Sequence, residues 1–409
     1  MRPDESTYLQ TRTEQMVERA GLRRRDLLKL GATLPLAAGV ASWVGAAPAG
    51  AATTPIVKPL PPEWFVNYGT NAEMRWETAR DLGYTIPNER FFVRDHTATP
   101  LIDERTWKLR VFGSGLDGPG VELTYDQLRR MPQRDVVTAI ECAGNGRSFF
   151  ATQQGTPSPG TQWGLGAIGV ARWRGVPLRG VLERAGISSR AVDVMPVGLD
   201  ASVVSGGVDY GHVRRPLPVG KALDDALLVL AMNGEDLPPD HGFPVRLVVP
   251  GWIGVASVKW LGEIEVSDQP LFSYWNTVQY VMTGDAYPSR PVLGAQTVKS
   301  AWELAKGAEL PAGTPVTLTG RAWSGTSAIV SVEISTDQGA SWTPARLQGQ
   351  RGAGTWTLFR YACRPLEAGP AQLWARATDG SGRTQPLVAT FNSNGYLFDA
   401  VVRHPVMVR

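Results

Sequence analysis

The stretch Val136-Val137-Thr138-Ala139-Ile140-Glu141-Cys142-Ala143-Gly144-Asn145-Gly146-Arg147 decides how this chain is read. β-Branched side chains at Val136, Val137, Thr138 and Ile140 favour an extended strand, and the glycines that follow close it with a turn. A thiolate at Cys142 then projects from a rigid strand end, with backbone amides and an arginine around it. Such a group can hold a metal or an oxidisable centre. The same residues also fit an inert buried cysteine before a tight turn. What raises the first reading is the rest of the chain, which carries cationic and polar residues of the kind an anionic cofactor needs.

Outward from that stretch, the 409 residues are 43% hydrophobic and 19% charged, with 14 tryptophans, so a large core can form, and the length suggests two domains more readily than one. The formal charge is only +3 and no Lys/Arg stripe is interleaved with aromatics, so nucleic acid is not an expected partner. The two cysteines, Cys142 and Cys363, fall in unlike contexts, and no disulfide is expected between them. Near the start, Arg23-Arg24-Arg25 precedes a modest apolar run from Leu30 to Val44 and the small residues Ala47-Pro48-Ala49. This order resembles a twin-arginine export signal, so residues 1–50 are predicted to be a leader and the protein periplasmic or otherwise exported. Proline and glycine in so short a run argue against a stable membrane span.

Pro59-Leu60-Pro61-Pro62 marks an extended entry to a first large domain, residues 51–290. Phe91 to Arg94, Trp107 to Phe112, Val245 to Val249 and Ala256 to Leu261 read as strands. Tyr125 to Met131, Leu178 to Ala185 and Leu223 to Met232 read as helices. The domain is therefore predicted to be mixed α+β. In residues 291–409, the runs Val316 to Gly320, Ala328 to Ser335, Trp356 to Tyr361 and Ala371 to Ala377 alternate apolar and polar faces between turn-rich segments. They predict an immunoglobulin-like β-sandwich, with Trp323, Trp342 and Trp374 as its structural aromatics.

The glycine-rich turn matches neither a phosphate loop nor a dinucleotide fingerprint. His241 lacks the spacing of a zinc enzyme and fits equally a pairing with a backbone carbonyl or carboxylate. Arg94, Arg147 and Arg246 offer directed donors, Lys259 a compact charge and Ser257 a hydroxyl, a set suited to a phosphate-bearing cofactor and a small oxyanion. Each arginine also fits a surface or ion-pair role. Tyr280 can donate a phenolic hydrogen bond or simply pack.

Three segments together resemble the molybdenum-dependent sulfite oxidase family over roughly residues 60–405. Phe91-Phe92-Val93-Arg94-Asp95-His96 is similar to its entry segment, with Asp95 in place of the usual asparagine. Glu141 to Ser148 is similar to its cysteine motif, with Gly146 in place of an arginine. The run from Met232 to Arg246, continued by Val248-Val249-Pro250-Gly251 and Val258-Lys259-Trp260-Leu261-Gly262, carries the most specific match.

The resemblance implies a molybdenum–molybdopterin cofactor with Cys142 as the metal ligand. It places Phe92, Arg94, His96, Asp200, His241, Arg246, Ser257 and Lys259 at the pterin, and Arg147 and Tyr280 at the substrate oxyanion. The implied reaction is oxidation of sulfite to sulfate. With no Cys-x-x-Cys-His haem attachment, electrons are expected to leave for a separate acceptor, a cytochrome c, with direct use of oxygen as the alternative. Ala322-Trp323-Ser324-Gly325 resembles the start of the family's dimerisation domain, which implies a homodimer. Where a substrate arginine often follows, this chain has Thr326-Ser327-Ala328. That departure leaves room for another oxyanion or for a sulfane dehydrogenase acting on carrier-bound sulfur, and because such a metal centre can run oxygen transfer in either direction, an S-oxide or N-oxide reductase is a further alternative.

Overall fold

The computed structural model describes residues 5–19, 55–350, 352–365 and 367–409. The expected twin-arginine stretch lies outside the described residues.

The strand anticipated from Val136 runs over Arg134–Glu141 and pairs antiparallel with Ile168–Pro177 along its whole length. Leu227–Met232 continues this sheet and pairs on with Arg246–Val248. A second sheet orders its strands as Leu217–Pro218, Asp193–Gly198, Leu261–Ser267, Lys108–Phe112 and Val121–Thr124. Helices Leu178–Arg184 and Val219–Asp224 pack together, and their apolar side chains join Leu109, Val194, Leu247 and Ile264 in one core. Tyr125–Arg129 is helical as expected and starts with a reciprocal cap between Thr124 and Gln127.

Two local expectations are corrected. Leu223 to Met232 is not one helix: the helix ends at Asp224 and Leu227–Met232 is a strand. Leu227, Leu228 and Val229 are wholly buried between two neighbouring strands, and burial on both faces overrides helix propensity. Ala256 to Leu261 is not a strand up to its last residue. Gly254–Ala256 forms a short 3-10 turn, and Trp260 takes a left-handed φ of 50°, so pairing begins only at Leu261.

The C-terminal domain is a sandwich. One sheet joins Lys299–Trp302, Val316–Ser324, Thr355–Cys363 and Arg346–Gln348; the other joins Ala308–Leu310, His404–Val408, Gly369–Asp379, Ile329–Ser335 and Thr343–Pro344. Alternating residues such as Leu318, Val332, Phe359 and Ala377 fill the space between them. Trp323 departs from its expected place: it packs with Trp76 and Trp356 in the core of the first domain. Trp342 and Trp374 lie on the sandwich against Arg376 and Arg403.

Within the expected leader, Glu5–Arg19 forms a helix that lies against the first domain. Tyr8 and Arg12 both donate to the buried Asp193 carboxylate, and Trp252 donates to Glu5. Among the described residues no helix is long and apolar enough to cross a membrane.

Candidate active site

Loops at the ends of these strands form a cavity that is partly open to solvent. Ten of the eleven residues singled out from the sequence line it: Phe92, Arg94, His96, Cys142, Asp200, His241, Arg246, Ser257, Lys259 and Tyr280. Arg147, the eleventh, is buried just behind the Cys142 turn. Ala328 sits in the sandwich, where its carbonyl accepts from Gly380, and does not line the cavity.

Cys142 follows directly on the strand end, 8% exposed, and Gly144 donates its amide to the sulfur at 3.4 Å. Asn145 donates to the Cys142 carbonyl and Arg147 to that of Gly144, closing the turn that the glycines promised. Cys363 is far along the chain in the sandwich, and both thiols are free.

Cationic groups line the cavity and, at Arg147, stand behind it. Arg246 donates to the carbonyls of His241 and Ser257, both at 3.0 Å, and burial pushes its pKa down to about 9. Arg94 donates to the Asp95 carbonyl at 2.7 Å and to the Tyr280 hydroxyl at 3.4 Å. Arg147 donates to the carbonyls of Asn394 and Thr161. Among the described residues none of these three guanidinium groups is ion-paired with a carboxylate. Lys259 differs: it is paired with Asp95, so the aspartate that replaces the usual asparagine is the counter-ion of a cavity lysine.

The neutral groups are equally ordered. His241 is buried with Nε2 lacking any partner, and burial, with Lys58 and Arg246 nearby, pushes its pKa well below the ordinary value. It therefore stands as a neutral imidazole. His96 shares a 3.3 Å hydrogen bond with the Tyr280 hydroxyl, and burial beside Arg94 also lowers its pKa. Burial raises the Tyr280 pKa, keeping a neutral phenol that can donate. Ser257 accepts from the Val249 amide, and Asp200, its pKa raised to about 6 by burial, accepts from Val213.

Three guanidinium groups without carboxylate partners, two of them buried, and an orphaned imidazole nitrogen are costly unless an anionic, acceptor-rich ligand completes them. Among the described residues no three His, Cys, Asp or Glu side chains cluster as a metal cage. A metal here would take Cys142 as its protein ligand and draw its other donors from an organic cofactor. These features fit a phosphate-bearing pterin that carries molybdenum.

Sequence reasoning gave no site role to Asp95, Asp240, Trp275 or Tyr396, although Asp95 was noted as a departure from the motif. Asp240 ties the Val57 and Lys58 amides and Thr99 to the cavity edge, and Trp275 packs on His96 with ring centroids 4.3 Å apart. Asp240 stood within the quoted motif, where its acidic side chain beside His241 was the available signal.

Comparison with known proteins identifies the family. Residues 96–275 match the oxidoreductase molybdopterin binding domain, and residues 297–408 the Mo-co oxidoreductase dimerisation domain. Chicken (Gallus gallus) sulfite oxidase is 38% identical over 78% of this chain and 72% of its own length. Mouse (Mus musculus) mitochondrial sulfite oxidase is 34% identical over 80% of this chain, and the match spans 62% of that protein's length. The sulfane dehydrogenase SoxCD of Paracoccus pantotrophus superposes with a TM-score of 0.69 at 26% identity, covering 91% of this chain and 96% of that one. The chain belongs to the sulfite oxidase family of molybdopterin-dependent oxidoreductases.

Proposed function

We propose that this protein oxidises sulfite to sulfate, SO₃²⁻ + H₂O → SO₄²⁻ + 2e⁻ + 2H⁺, and passes the electrons singly to a separate acceptor, a cytochrome c. The observation that carries this reading is Cys142 at the wall of a cavity with unpaired cations around it, in a chain whose relatives include the sulfite oxidases of chicken and mouse. When bound, the molybdenum–pterin group supplies the two-electron change and the oxygen-atom transfer.

The chain's residues bind and orient. Cys142 ligates the metal as a thiolate from a rigid turn. Arg246, Lys259, His241 and Ser257 present donors to the phosphate and the polar edge of the pterin, with Phe92 and Asp200 completing its surroundings. Arg147 draws the sulfite dianion towards the Cys142 end of the cavity and stabilises its charge. Tyr280, held by Arg94 and His96, offers one phenolic proton to an oxyanion oxygen. Wrapping these groups in buried protein strengthens each interaction.

The sandwich domain holds a homodimer together in this reading, and the twin-arginine stretch directs export. Sulfane dehydrogenation is the second reading, favoured by the likeness to SoxCD and by Ala328 in place of a substrate arginine. Protein matured in a host that makes molybdopterin decides between them. Stoichiometric sulfite added without oxygen should reduce the metal centre rapidly; reduction by a sulfurated carrier protein and not by sulfite would move the assignment to the second reading. Absence of molybdenum and pterin from that protein would remove both.

A further inference from the structure

The guanidinium of Arg147 is held largely by the other domain. Its Nε donates to the Asn394 carbonyl at 3.1 Å, its Nη1 to the Thr161 carbonyl at 2.9 Å, and its central carbon lies 5.4 Å from the centroid of the Tyr396 ring. Tyr396 in turn stacks on Tyr280, with centroids 5.4 Å apart and ring planes within 10°. One ring is thus shared by the cation and the phenol that the proposed function places around the substrate.

That ring is itself fixed. The Tyr396 hydroxyl donates to Gln279 Oε1 at 2.7 Å, its amide donates to Asn392 Oδ1, and its carbonyl accepts from Asn392 Nδ2. Glycines approach Arg147 closely on both sides. A Cβ on Gly395, whose φ is +58°, would fall 2.8 Å from Arg147 Cγ, and one on Gly144 would fall 2.8 Å from Nη2.

The chemistry of the hold matters more than its tightness. A carboxylate beside Arg147 would fix the side chain and also cancel its charge. Two carbonyls and an aromatic face fix it while leaving the positive charge available to a dianion. Tyr280, whose backbone sits at a left-handed φ of 57°, gains from the same ring a stacked surface that sets the direction of its hydroxyl.

We propose that Tyr396 is a positioning residue for oxyanion capture: it orients Arg147 and Tyr280 together from the sandwich domain, without touching the substrate. The proposal rests on the reading of Arg147 as the anion-binding group. It makes the C-terminal domain part of the active site as well as of any dimer.

The test uses molybdenum-loaded full-length protein, with KM and kcat for sulfite and competitive inhibition by sulfate as readouts. Tyr396→Phe keeps the ring and should stay within about twofold of the parent. Tyr396→Met, similar in bulk but without a π face, should raise KM and the sulfate inhibition constant together by roughly 3- to 30-fold, with kcat changed less and molybdenum content unchanged. Trifluorophenylalanine at position 396 preserves shape while weakening the ring's negative face, and should fall between the two; it also serves if Tyr396→Met does not accumulate. A trifluorophenylalanine protein with sulfate affinity equal to that of Tyr396→Phe would overturn the proposal. A parent protein that binds sulfate but does not oxidise sulfite would sink the proposed function alone, and sulfate affinity would still read the effect of Tyr396.

Discussion

Lys299 of the sandwich domain donates to the Glu141 carboxylate at 2.8 Å, one residue before the Cys142 thiol, with both side chains at most 5% exposed. The same lysine donates to the Asn145 carbonyl, and Trp323 donates to the second oxygen of Glu141. The turn that presents Cys142 is therefore gripped from behind by the domain that follows it. Lys299→Met leaves a buried carboxylate with neutral donors only, and should cost about 3–5 kcal/mol in chemical unfolding. A loss below about 1 kcal/mol would show that water or another cation replaces the lysine.

Asp200 gives a pH test in cofactor-free protein. Its folded pKa of about 6 lies above the ordinary 3.8 because burial disfavours the charge. The folded state thus binds this proton more tightly than the unfolded chain. The resulting stability is fully present below about pH 4 and is lost as pH rises through 6. Asp200→Asn should therefore be more stable than the parent by about 2–3 kcal/mol at pH 7 and equal to it near pH 4. Unfolding midpoints of the two proteins that run parallel across that range would contradict this account.

Arg12 and Asp193 form a 2.8 Å ion pair with side chains 6% and 0% exposed. Asp193 also accepts from the Leu271 amide, at the start of the segment that leads to Trp275 and Tyr280. Arg12→Met should undock the N-terminal helix, at a cost of about 3 kcal/mol. Hydrogen exchange should then speed up across residues 5–19 and spread to the amides near Leu271. Exchange confined to the helix would uncouple it from the site. If export removes residues 1–50, the mature protein should show that faster exchange at Leu271 without any substitution.

Cofactor retention and substrate capture should separate by residue. Arg246→Leu removes a donor from the cofactor wall and should lower molybdenum affinity roughly tenfold or more. Arg147→Leu should keep the metal and raise the KM for sulfite. Cys142→Ser should unfold like the parent yet lose turnover, and a Cys142→Ser protein with full turnover and molybdenum would refute the thiolate's role. Metal analysis alongside steady-state rates separates the three outcomes.

Local chemistry made much of this legible. Alternation at Val316–Ser324 and Ile329–Ser335 reads directly as sandwich strands because each has one face in the core. Leu227–Met232 misled for the opposite reason: leucine, alanine and methionine favour helices locally, and only two flanking strands impose the extended form. Lys259 reached the site from a segment read as a strand, because the left-handed turn at Trp260 leaves no pattern in hydrophobicity. Tyr396 and the helix Glu5–Arg19 were missed since their partners, Arg147 and Asp193, lie far away along the chain, 181 residues in the case of Arg12 and Asp193.

By itself the sequence determined the strand that ends at Cys142, the glycine turn after it, the split into an α+β domain and a sandwich, and the residue types of a cationic site. These depend on neighbours a few positions apart. Only the tertiary structure decided that Arg94, Arg147 and Arg246 would stand without carboxylates while Lys259 would not, and that the second domain would brace the turn of the first. Charge compensation and buried contact depend on distance in space, and the chain must close before either is set.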